Sequence, residues 1–226
     1  NRVEKLFEKA KKTTKSGQKE GLPLIALLEK ILPTLEEGLS VRTLSLNEEE
    51  QKLLKGFQLL TIKPVLYVAN VSEDGFENNP HLNSIFESAK KEQSQVVAIS
   101  ADIEADISEL DINEKKEFLS EIGQTESGLD RLVNAGYDLL GLQTFFTAGP
   151  QEVRAWTVNI GDSAPQAAGK IHGDFEKGFI RAETISFEDF ILHSGEKGAK
   201  EAGKLRAEGK EYIVQDGDVF HFLFNV

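Results

Sequence analysis

The sequence predicts an α/β protein with a helical segment in front of it and a small α+β module behind it. Two short apolar runs, residues 64–69 and 96–99, flank a helical stretch, which is typical of parallel strands in a layered fold. Residues 1–58 instead show apolar positions at the spacing of helices. From residue 142 onward, alternating apolar and polar residues indicate strands of a separate module.

The first segment is predicted to contain two antiparallel helices and a third, capped helix. Apolar residues recur at steps of three and four over residues 2–15, and Ser16 and Gly17 are expected to end this helix. Residues 24–35 form a second apolar stripe, in which Pro33 is expected to end or kink the helix. Asn47 precedes an acidic run and is the expected cap of the third helix.

The middle segment is predicted to form a strand-helix-strand unit. The apolar run at 64–69 indicates a parallel strand covered on both faces, and it ends at Asn70. Residues 82–91 are predicted as a helix and 96–99 as a second buried strand. Further helices are predicted at 114–119 and 129–142.

The last segment is predicted to fold as an independent module of strands and short helices. Residues 154–160 alternate in polarity, and residues 220–224 close the chain with another strand. Short helices are expected at 165–171 and 197–206, and residues 216–218 are expected to form the turn into the last strand.

Composition narrows the class of protein. The chain has 226 residues and no cysteine, which excludes a disulfide framework and a thiolate metal site within this sequence. No run of 18 apolar residues is present, so no membrane segment is expected and the cytoplasm is the expected location. The first residue is Asn1 rather than methionine, and we expect the start to be a cut. The oligomeric state stays open.

Charge is distributed unevenly along the chain. The net charge of −12 is expected to repel nucleic acid and argues against DNA sequence recognition. Residues 1–20, however, carry seven lysine or arginine residues against three glutamates. Lys5, Lys9, Lys12 and Lys15 could line one side of the first helix as a contact for RNA, and the alternative is an ordinary solvated face.

Polar residues follow both predicted strands of the middle segment. Asn70, Val71 and Glu73 come directly after the first strand, and Ser100 and Ala101 come after the second. The carboxyl ends of adjacent parallel strands meet at one edge of a sheet, where α/β proteins bind ligands. By themselves Asn70 and Glu73 are also compatible with an ordinary strand-exit turn, and Ser100 with a strand end that caps the following turn.

These motifs resemble the base-binding loops of P-loop NTPases. The ordinary motif is Asn-Lys-x-Asp, and the form Asn-x-x-Glu at Asn70 and Glu73 resembles the Obg-like (YchF-type) ATPases. Residues 99–104 resemble the last nucleotide loop of such proteins. The strongest resemblance covers residues 135–226, where the segments around 142–149, 174–183 and 215–219 are similar to the tail of this family.

The resemblance implies a fold and a function. It implies a helical, coiled-coil-like insertion at 1–58, the C-terminal part of a P-loop nucleotide domain at 59–141 and a ubiquitin-like (β-grasp) TGS domain at 142–226. It also implies a ribosome-associated protein that binds and hydrolyses ATP, in preference to GTP, with magnesium. Asn70, Val71, Glu73, Ser100 and Ala101 would then contact the base.

The phosphate-binding loop of that family is not found in this sequence. Such a loop needs Gly-x-x-x-x-Gly-Lys followed by Ser or Thr, whose hydroxyl holds magnesium. Residues 198–204 match its first seven positions, but Leu205 stands at the hydroxyl position, and Ala, Lys and Glu between the glycines favour a helix. The resemblance places the loop before Asn1, so this chain alone is expected not to hydrolyse ATP, and no catalytic or metal-binding residue is predicted.

Other sites and functions are less favoured by the sequence. His172 and Asp174 are interpreted as a solvated turn beside Phe175 rather than a metal or acid-base pair. Trp156 and the aromatic residues of 220–224 are interpreted as core rather than a base-stacking platform. The functional alternative is a non-catalytic module that docks to the ribosome, RNA or a protein through its helical and TGS parts, or a scaffold without retained activity.

Overall fold

The structure is a computed structural model that describes residues 2–15 and 21–225. The chain forms two compact units, Asn1–Ala135 (the first unit) and Gly136–Val226 (the second unit). Both contain helices and strands, which confirms the predicted mixed α/β class. The finer division into three segments stays a prediction. None of the described helices has the length and apolar character needed to span a bilayer.

The first unit begins with helices at the predicted places. Helix α1 covers Arg2–Lys15, α2 covers Leu22–Glu36 and α3 covers Glu48–Lys55. The helical prediction for this segment is therefore confirmed. The expected break at Ser16 and Gly17 lies outside the described residues.

Pro33 was expected to end or kink helix α2, and the structure shows that it does not end it. The helix continues to Glu36, although proline lacks the N–H donor and its ring crowds the carbonyl one turn earlier. The carbonyl of Pro33 accepts one from the backbone N–H of Glu37 at 2.9 Å. The last turn of α2 is therefore hydrogen-bonded beyond Pro33.

An apolar cluster holds these helices together. Leu27, Leu28 and Ile31 of α2 lie at its centre with 0% exposure. Burying each of these side chains contributes on the order of 1.5–3 kcal/mol. Other buried members come from α1, from a 3-10 turn and from α3, namely Val3, Val41 and Leu54. The amphipathic pattern of the sequence is therefore satisfied by helix-on-helix packing.

Helix α3 begins at a capping box. The side chain of Asn47 accepts a hydrogen bond from the backbone N–H of Glu50, and the Glu50 carboxylate accepts one from the backbone N–H of Asn47, both at 2.9 Å. The cap predicted at Asn47 is confirmed. Glu50 also accepts a hydrogen bond from Lys30 of α2, which ties the two helices together.

The predicted strand-helix-strand unit follows. Strand β1 (Leu66–Asn70) pairs in parallel with β2 (Gln95–Ile99), and α4 (Pro80–Lys91) connects them and packs against both. The prediction that β1 is covered on both faces was wrong, because Val68 is 45% exposed whereas its neighbour Ala69 is buried. Successive side chains of a strand point to opposite faces, and the described residues form a sheet of two strands here, so one face is left partly open.

Helices complete the first unit. Helix α5 covers Ala101–Ser108, α6 covers Ile112–Glu121, and α7 covers Gly128–Leu140 and crosses the boundary between the units. The helices predicted near α6 and α7 are confirmed, whereas α5 was missed because its residues were assigned to a loop. Ile103 and Ile107 of α5, spaced at i and i+4, are buried in a small cluster with a residue of α6 and give the missed signal.

The second unit contains a mixed sheet of five strands in the order β4-β3-β7-β5-β6. Strands β3 and β7 are parallel, and the other neighbours are antiparallel. The strand bounds are Leu142–Ala148 (β3), Val153–Asn159 (β4), Phe179–Ser186 (β5), Arg206–Glu208 (β6) and Asp218–Phe224 (β7). The strands predicted at 154–160 and 220–224 are confirmed as β4 and β7.

Short helices accompany this sheet. Their bounds are Ala164–Ile171 (α8), Gly173–Lys177 (α9), Phe187–Leu192 (α10) and Glu196–Glu201 (α11). The helix predicted at 165–171 is confirmed, but the one predicted at 197–206 ends early. Gly203 has a φ of +72°, which is outside the helical region, and Arg206 already belongs to β6.

Aromatic side chains form the core of the second unit. Phe145 is 0% exposed and contacts the rings of Trp156, Phe220 and Phe222, with ring centres 5.6–6.4 Å apart. Phe224 stacks on Phe175 at 3.7 Å. The interpretation of these aromatic residues as core is confirmed, because the contacts bury one side of the alternating strand β7.

Candidate functional site

The carboxyl edge of the β1–β2 sheet brings the predicted base-binding segments together. Asn70 is the last residue of β1 and pairs with Ile99, the last residue of β2. The backbone N–H of Val71 donates to the carbonyl of Ile99 at 2.8 Å, which extends the pairing by one residue. Both chain segments therefore leave the sheet at one point, as the strand-helix-strand pattern predicts.

Asn70 links the two segments directly. Its side-chain oxygen Oδ1 accepts a hydrogen bond from the backbone N–H of Ala101 at 3.0 Å. Ala101 is the first residue of α5, and the first amides of a helix have no acceptor within the helix. Asn70 thus caps α5 from the neighbouring strand and fixes the turn at Ser100.

Ser100 is enclosed rather than displayed at the edge. It is 2% exposed, and its hydroxyl Oγ has no hydrogen-bond partner among the described residues. Its carbonyl accepts the backbone N–H of Glu104 at 3.0 Å, in the first turn of α5. Contact with a ligand at this edge would therefore fall to the exposed atoms of Ala101 and Asn70.

Glu73 lies in an exposed loop after β1. Within the part of the chain that the structure describes, its carboxylate makes no hydrogen bond or ion pair. The loop is folded locally, because Ser72 Oγ donates to Asp74 Oδ1 at 2.8 Å and the N–H of Gly75 donates to the Ser72 carbonyl at 2.9 Å. The structure thus joins Asn70, Val71 and Ala101, and leaves the Glu73 carboxylate free in solvent.

Two polar side chains behind this edge were missed by sequence reasoning. Arg131 of α7 donates to the carbonyl of Ala98 in β2 at 3.2 Å, and Glu104 of α5 accepts from the backbone N–H of Gly128 at 2.6 Å. The sequence did carry a signal for the start of α7. Ser127 is followed three residues later by the acidic Asp130, which is typical of a helix N-terminal cap.

A basic side of α1 is a separate feature of the first unit. Lys5, Lys9 and Lys12 are exposed and follow one another at helical spacing, with Glu4 and Glu8 among them. Val3 and Ala10 are buried on the opposite side. The three lysines therefore face solvent, which is expected both for an RNA contact and for an ordinary solvated face. The side chain of Lys15 lies outside the described part.

The segment that resembles a phosphate loop is part of helix α11. A Cβ added at Gly198 would lie 1.9 Å from the carbonyl oxygen of His193, so this glycine is required for close backbone packing. The interpretation of the segment as a helix is confirmed for its first half. Among the described residues, no group of three or more His, Asp or Glu side chains is placed to hold a metal ion.

His172 and Asp174 belong to a local turn. Nδ1 of His172 accepts the backbone N–H of Asp174 at 3.2 Å and caps the short helix α9. Both side chains are exposed, and the ring of His172 lies 5.9 Å from that of Phe175. The interpretation as a solvated turn beside a packed phenylalanine is confirmed.

Comparison with known proteins assigns the chain to a family. Residues 142–225 match the family model YchF-GTPase_C, described as "Protein of unknown function (DUF933)". A protein of Escherichia coli O157:H7 named "Ribosome-binding ATPase YchF" is 58% identical over 223 residues, which cover 99% of this chain and 61% of that protein. The chain belongs to the YchF family. The resemblance found in the sequence is thereby confirmed.

Further YchF relatives agree with this assignment. The protein of the same name from Bacillus subtilis (strain 168) is 51% identical over 227 residues, covering 99% of this chain and 62% of the relative. The solved structure of the Schizosaccharomyces pombe YchF GTPase superposes with a TM-score of 0.85 and 32% identity, covering 98% of this chain and 61% of that one. The chain thus spans about 61% of the length of the YchF relatives it matches.

Proposed function

We propose that this chain forms part of a ribosome-associated YchF ATPase and that the β1–β2 edge supplies one side of its purine pocket. The observation that carries the proposal is the hydrogen bond between Asn70 Oδ1 and the N–H of Ala101 at 3.0 Å. It joins the two segments that resemble base-binding loops. The names of the YchF relatives, which describe ribosome-binding ATPases, support the same function.

The exposed groups of the edge suit a purine. The amide nitrogen of Asn70 can donate to a ring nitrogen, since its oxygen is already used by Ala101. The carboxylate of Glu73 can only accept, so it is matched to an amino group such as the one on adenine C6. Guanine also offers an amino group and a ring N–H to a carboxylate, so the proposed preference for ATP rests on the resemblance of Asn70 and Glu73 to the Asn-x-x-Glu motif of the Obg-like ATPases.

Phosphate and magnesium binding are not assigned to residues of this chain. Magnesium prefers carboxylate, hydroxyl and phosphate oxygens in an octahedral set, and the described residues offer no such cluster of acidic side chains. The fit therefore extends to the base alone. Sustained magnesium-dependent ATP turnover by the purified 226-residue chain would contradict this assignment.

The test of base binding uses a full-length YchF protein that carries the residues of this chain. Asn70→Ala removes the acceptor for Ala101 and is expected to weaken ATP binding by roughly tenfold, since a hydrogen bond of this kind contributes about 1 kcal/mol and its loss also frees the turn. Asn83→Ala on the exposed side of α4 is the matched control. Calorimetry showing equal ATP affinity for the Asn70 variant and the control would contradict the proposal.

The second unit is proposed to be the TGS β-grasp domain of this protein, and the helical part of the first unit to be its coiled-coil-like insertion. Support for the former comes from the five-stranded mixed sheet with α8 packed against it, over the residues that match the YchF family model. Support for the latter comes from the packing of α1 on α2. A ribosome partner implies a cytoplasmic location.

The alternative is a non-catalytic module that docks to the ribosome, and the basic side of α1 favours it. Neutralising phosphate charges with lysine makes binding depend steeply on salt. Exchange of Lys5, Lys9 and Lys12 for glutamate is expected to abolish salt-sensitive co-sedimentation of the chain with ribosomes. The matched control exchanges Lys52 and Lys55 of α3, which are also exposed, for glutamate. Equal loss in both variants would contradict a specific role of α1.

A further inference from the structure

The guanidinium group of Arg131 lies at the centre of a set of neutral acceptors. It donates to the side-chain oxygen of Gln124 at 2.9 Å, to the carbonyl of Glu126 at 3.0 Å and to the carbonyl of Ala98 at 3.2 Å. Among the described residues Arg131 makes no ion pair. Its hydrogen bonds therefore fix geometry, tying the start of α7 to the end of strand β2.

Glu104 makes a second connection between the same two regions. Its carboxylate oxygen Oε1 accepts the backbone N–H of Gly128 at 2.6 Å. A Cβ added at Gly128 would lie 2.8 Å from this oxygen and 3.0 Å from a methyl group of Ile99, so the approach depends on glycine. The start of α7 is thus packed directly against the start of α5.

These two connections enclose the turn that Asn70 caps. Arg131 holds the chain at Ala98, before the turn, and Glu104 holds it after the turn. Between them Ser100 is 2% exposed, so the turn at Ser100 is buried and is flanked by a hydrogen bond from α7 at Ala98 and another at Glu104. The position of the Ala101 N–H, and with it that of the Asn70 side chain, is therefore set from behind by α7.

We infer that Arg131 is a positioning residue for purine recognition: it orients the Ala98–Ala101 segment so that Asn70 and Ala101 present a preformed edge to the base. This inference rests on the proposed function. Arginine suits the task because its planar fork reaches three acceptors at fixed angles, which the single ammonium group of lysine does not reproduce. Arg131 itself does not need to touch the nucleotide.

The test compares base-dependent with phosphate-dependent affinity in the full-length YchF protein carrying these residues. The quantity measured is the ratio of the dissociation constant for inorganic tripolyphosphate to that for ATP. Arg131→Lys is expected to lower this ratio by about threefold to tenfold, since coupling between neighbouring sites is commonly of that size. The control is Asn134→Ala on the same helix as Arg131: it removes an exposed hydrogen bond to the Glu126 side chain and should leave the ratio unchanged.

A general loss of structure lowers both affinities and leaves the ratio in place, so an unchanged ratio in Arg131→Lys overturns the inference. If that variant does not fold, Gln124→Ala deletes one acceptor alone and is expected to lower the ratio by about twofold. An unchanged ratio there overturns the inference equally. Hydrogen exchange of the Ala101 amide in the 226-residue chain gives a ligand-free readout, in which Arg131→Lys should exchange faster than Asn134→Ala, and equal rates contradict the role.

The outcomes separate this inference from the proposed function. If ATP binds no more tightly than tripolyphosphate in the unchanged protein, or if Asn70→Ala leaves the ratio unaltered, the proposed base site fails. If Asn70→Ala lowers the ratio and Arg131→Lys does not, the base site stands and the positioning role fails. We expect Asn70→Ala and Arg131→Lys both to lower the ratio of the two dissociation constants.

Discussion

The two units bury their apolar residues in different ways. The second unit has one core around Phe145, built from four strands and two helices. The described part of the first unit has separate clusters, one among its leading helices and a smaller one around Ile103 and Ile107, and it leaves Val68 of β1 45% exposed. Stability of the second unit therefore depends on contacts between residues distant in sequence, whereas the first depends more on neighbouring helices.

The difference explains where the candidate site lies. The sheet of the first unit has two strands, and hydrogen bonds hold helices at its carboxyl edge. Polar groups of this edge, such as the Asn70 side chain, stay accessible to solvent. The five-stranded sheet instead fills the space at its centre with Phe145, Phe220 and Phe222. A closed aromatic core is stable but offers a ligand no entry, so recognition of a base is expected from the first unit.

The largest expected effect is in the second unit. Phe145→Ala removes a ring that is 0% exposed and should destabilise this unit by about 3–5 kcal/mol. Trp156, the only tryptophan, lies in the same core, so its fluorescence during urea unfolding reports on this unit. The matched change in the first unit, Val68→Ala, should cost less than about 1 kcal/mol. Similar costs for both would remove the contrast between the two cores.

A smaller effect is expected at the capping box of the first unit. Asn47→Ala deletes the acceptor for the backbone N–H of Glu50 and should cost about 1 kcal/mol. Hydrogen exchange of peptides from α3 should accelerate, while the Trp156 fluorescence transition should stay in place. Asn47→Asp keeps an acceptor and serves as the control. A shift of the Trp156 transition would show that the two units unfold together.

The smallest expected effect is a difference in acid sensitivity. Hydrogen bonds from Lys30 and from the Asn47 backbone lower the pKa of Glu50, and one from the Ser127 hydroxyl lowers the pKa of Asp130. A carboxyl group with a lowered pKa stabilises the folded state above its unfolded pKa, and this contribution is lost as the pH falls through the folded value. Both groups belong to the first unit, which should therefore lose stability in acid below about pH 4.

The second unit contains a group of the opposite kind. Burial raises the pKa of Asp218, against hydrogen bonds from the Gln215 backbone and the Tyr212 hydroxyl, and burial also raises the pKa of Tyr212 to about 12. A raised carboxyl pKa costs stability at neutral pH, and this cost is relieved as the pH falls through the folded value toward the unfolded one near about 4.

The pH dependence of the second unit is offset in part by Asp189, whose pKa is lowered by the Ser186 hydroxyl. Between neutral pH and about 4 the Trp156 unfolding midpoint should therefore hold or rise, whereas the protection factors of first-unit amides, taken relative to the intrinsic exchange rate at each pH, should not rise. Asp218→Asn should abolish the rise in the Trp156 unfolding midpoint. The loss of stability at lower pH, which comes from Asp189, should remain. A midpoint that falls steadily from neutral pH in the unchanged chain would contradict this role of Asp218.

Local patterns predicted most helices and the strands with strong alternation. The spacing of apolar residues in α1 and the polar cap at Asn47 are complete signals within a few residues, so α1 and α3 were found. Helix α5 was missed because Ser100 and Ala101 were assigned to a loop, although Ile103 and Ile107 carried a helical signal. The helix predicted at 197–206 was too long, because pairing of Arg206 with Thr184 recruits that residue into β6.

The candidate site was predicted in outline. The order strand-helix-strand requires that Asn70 and Ala101 come near each other, and the structure joins them by a hydrogen bond. The pattern did not indicate that Ser100 would be enclosed or that Arg131 and Glu104 would hold the turn from behind. Those contacts join residues 24 to 33 positions apart, where sequence spacing carries no information about which side chains meet.

The sequence by itself determined the class of the protein, the order of most of its elements and its membership of the YchF family, because periodicity, caps and motifs are properties of short segments. Only the tertiary structure decided which polar groups lie at the edge of the β1–β2 sheet, which are enclosed, and which face is left open. These depend on close packing of distant segments, where a carbonyl, an amide and one glycine such as Gly128 must meet within a few ångströms.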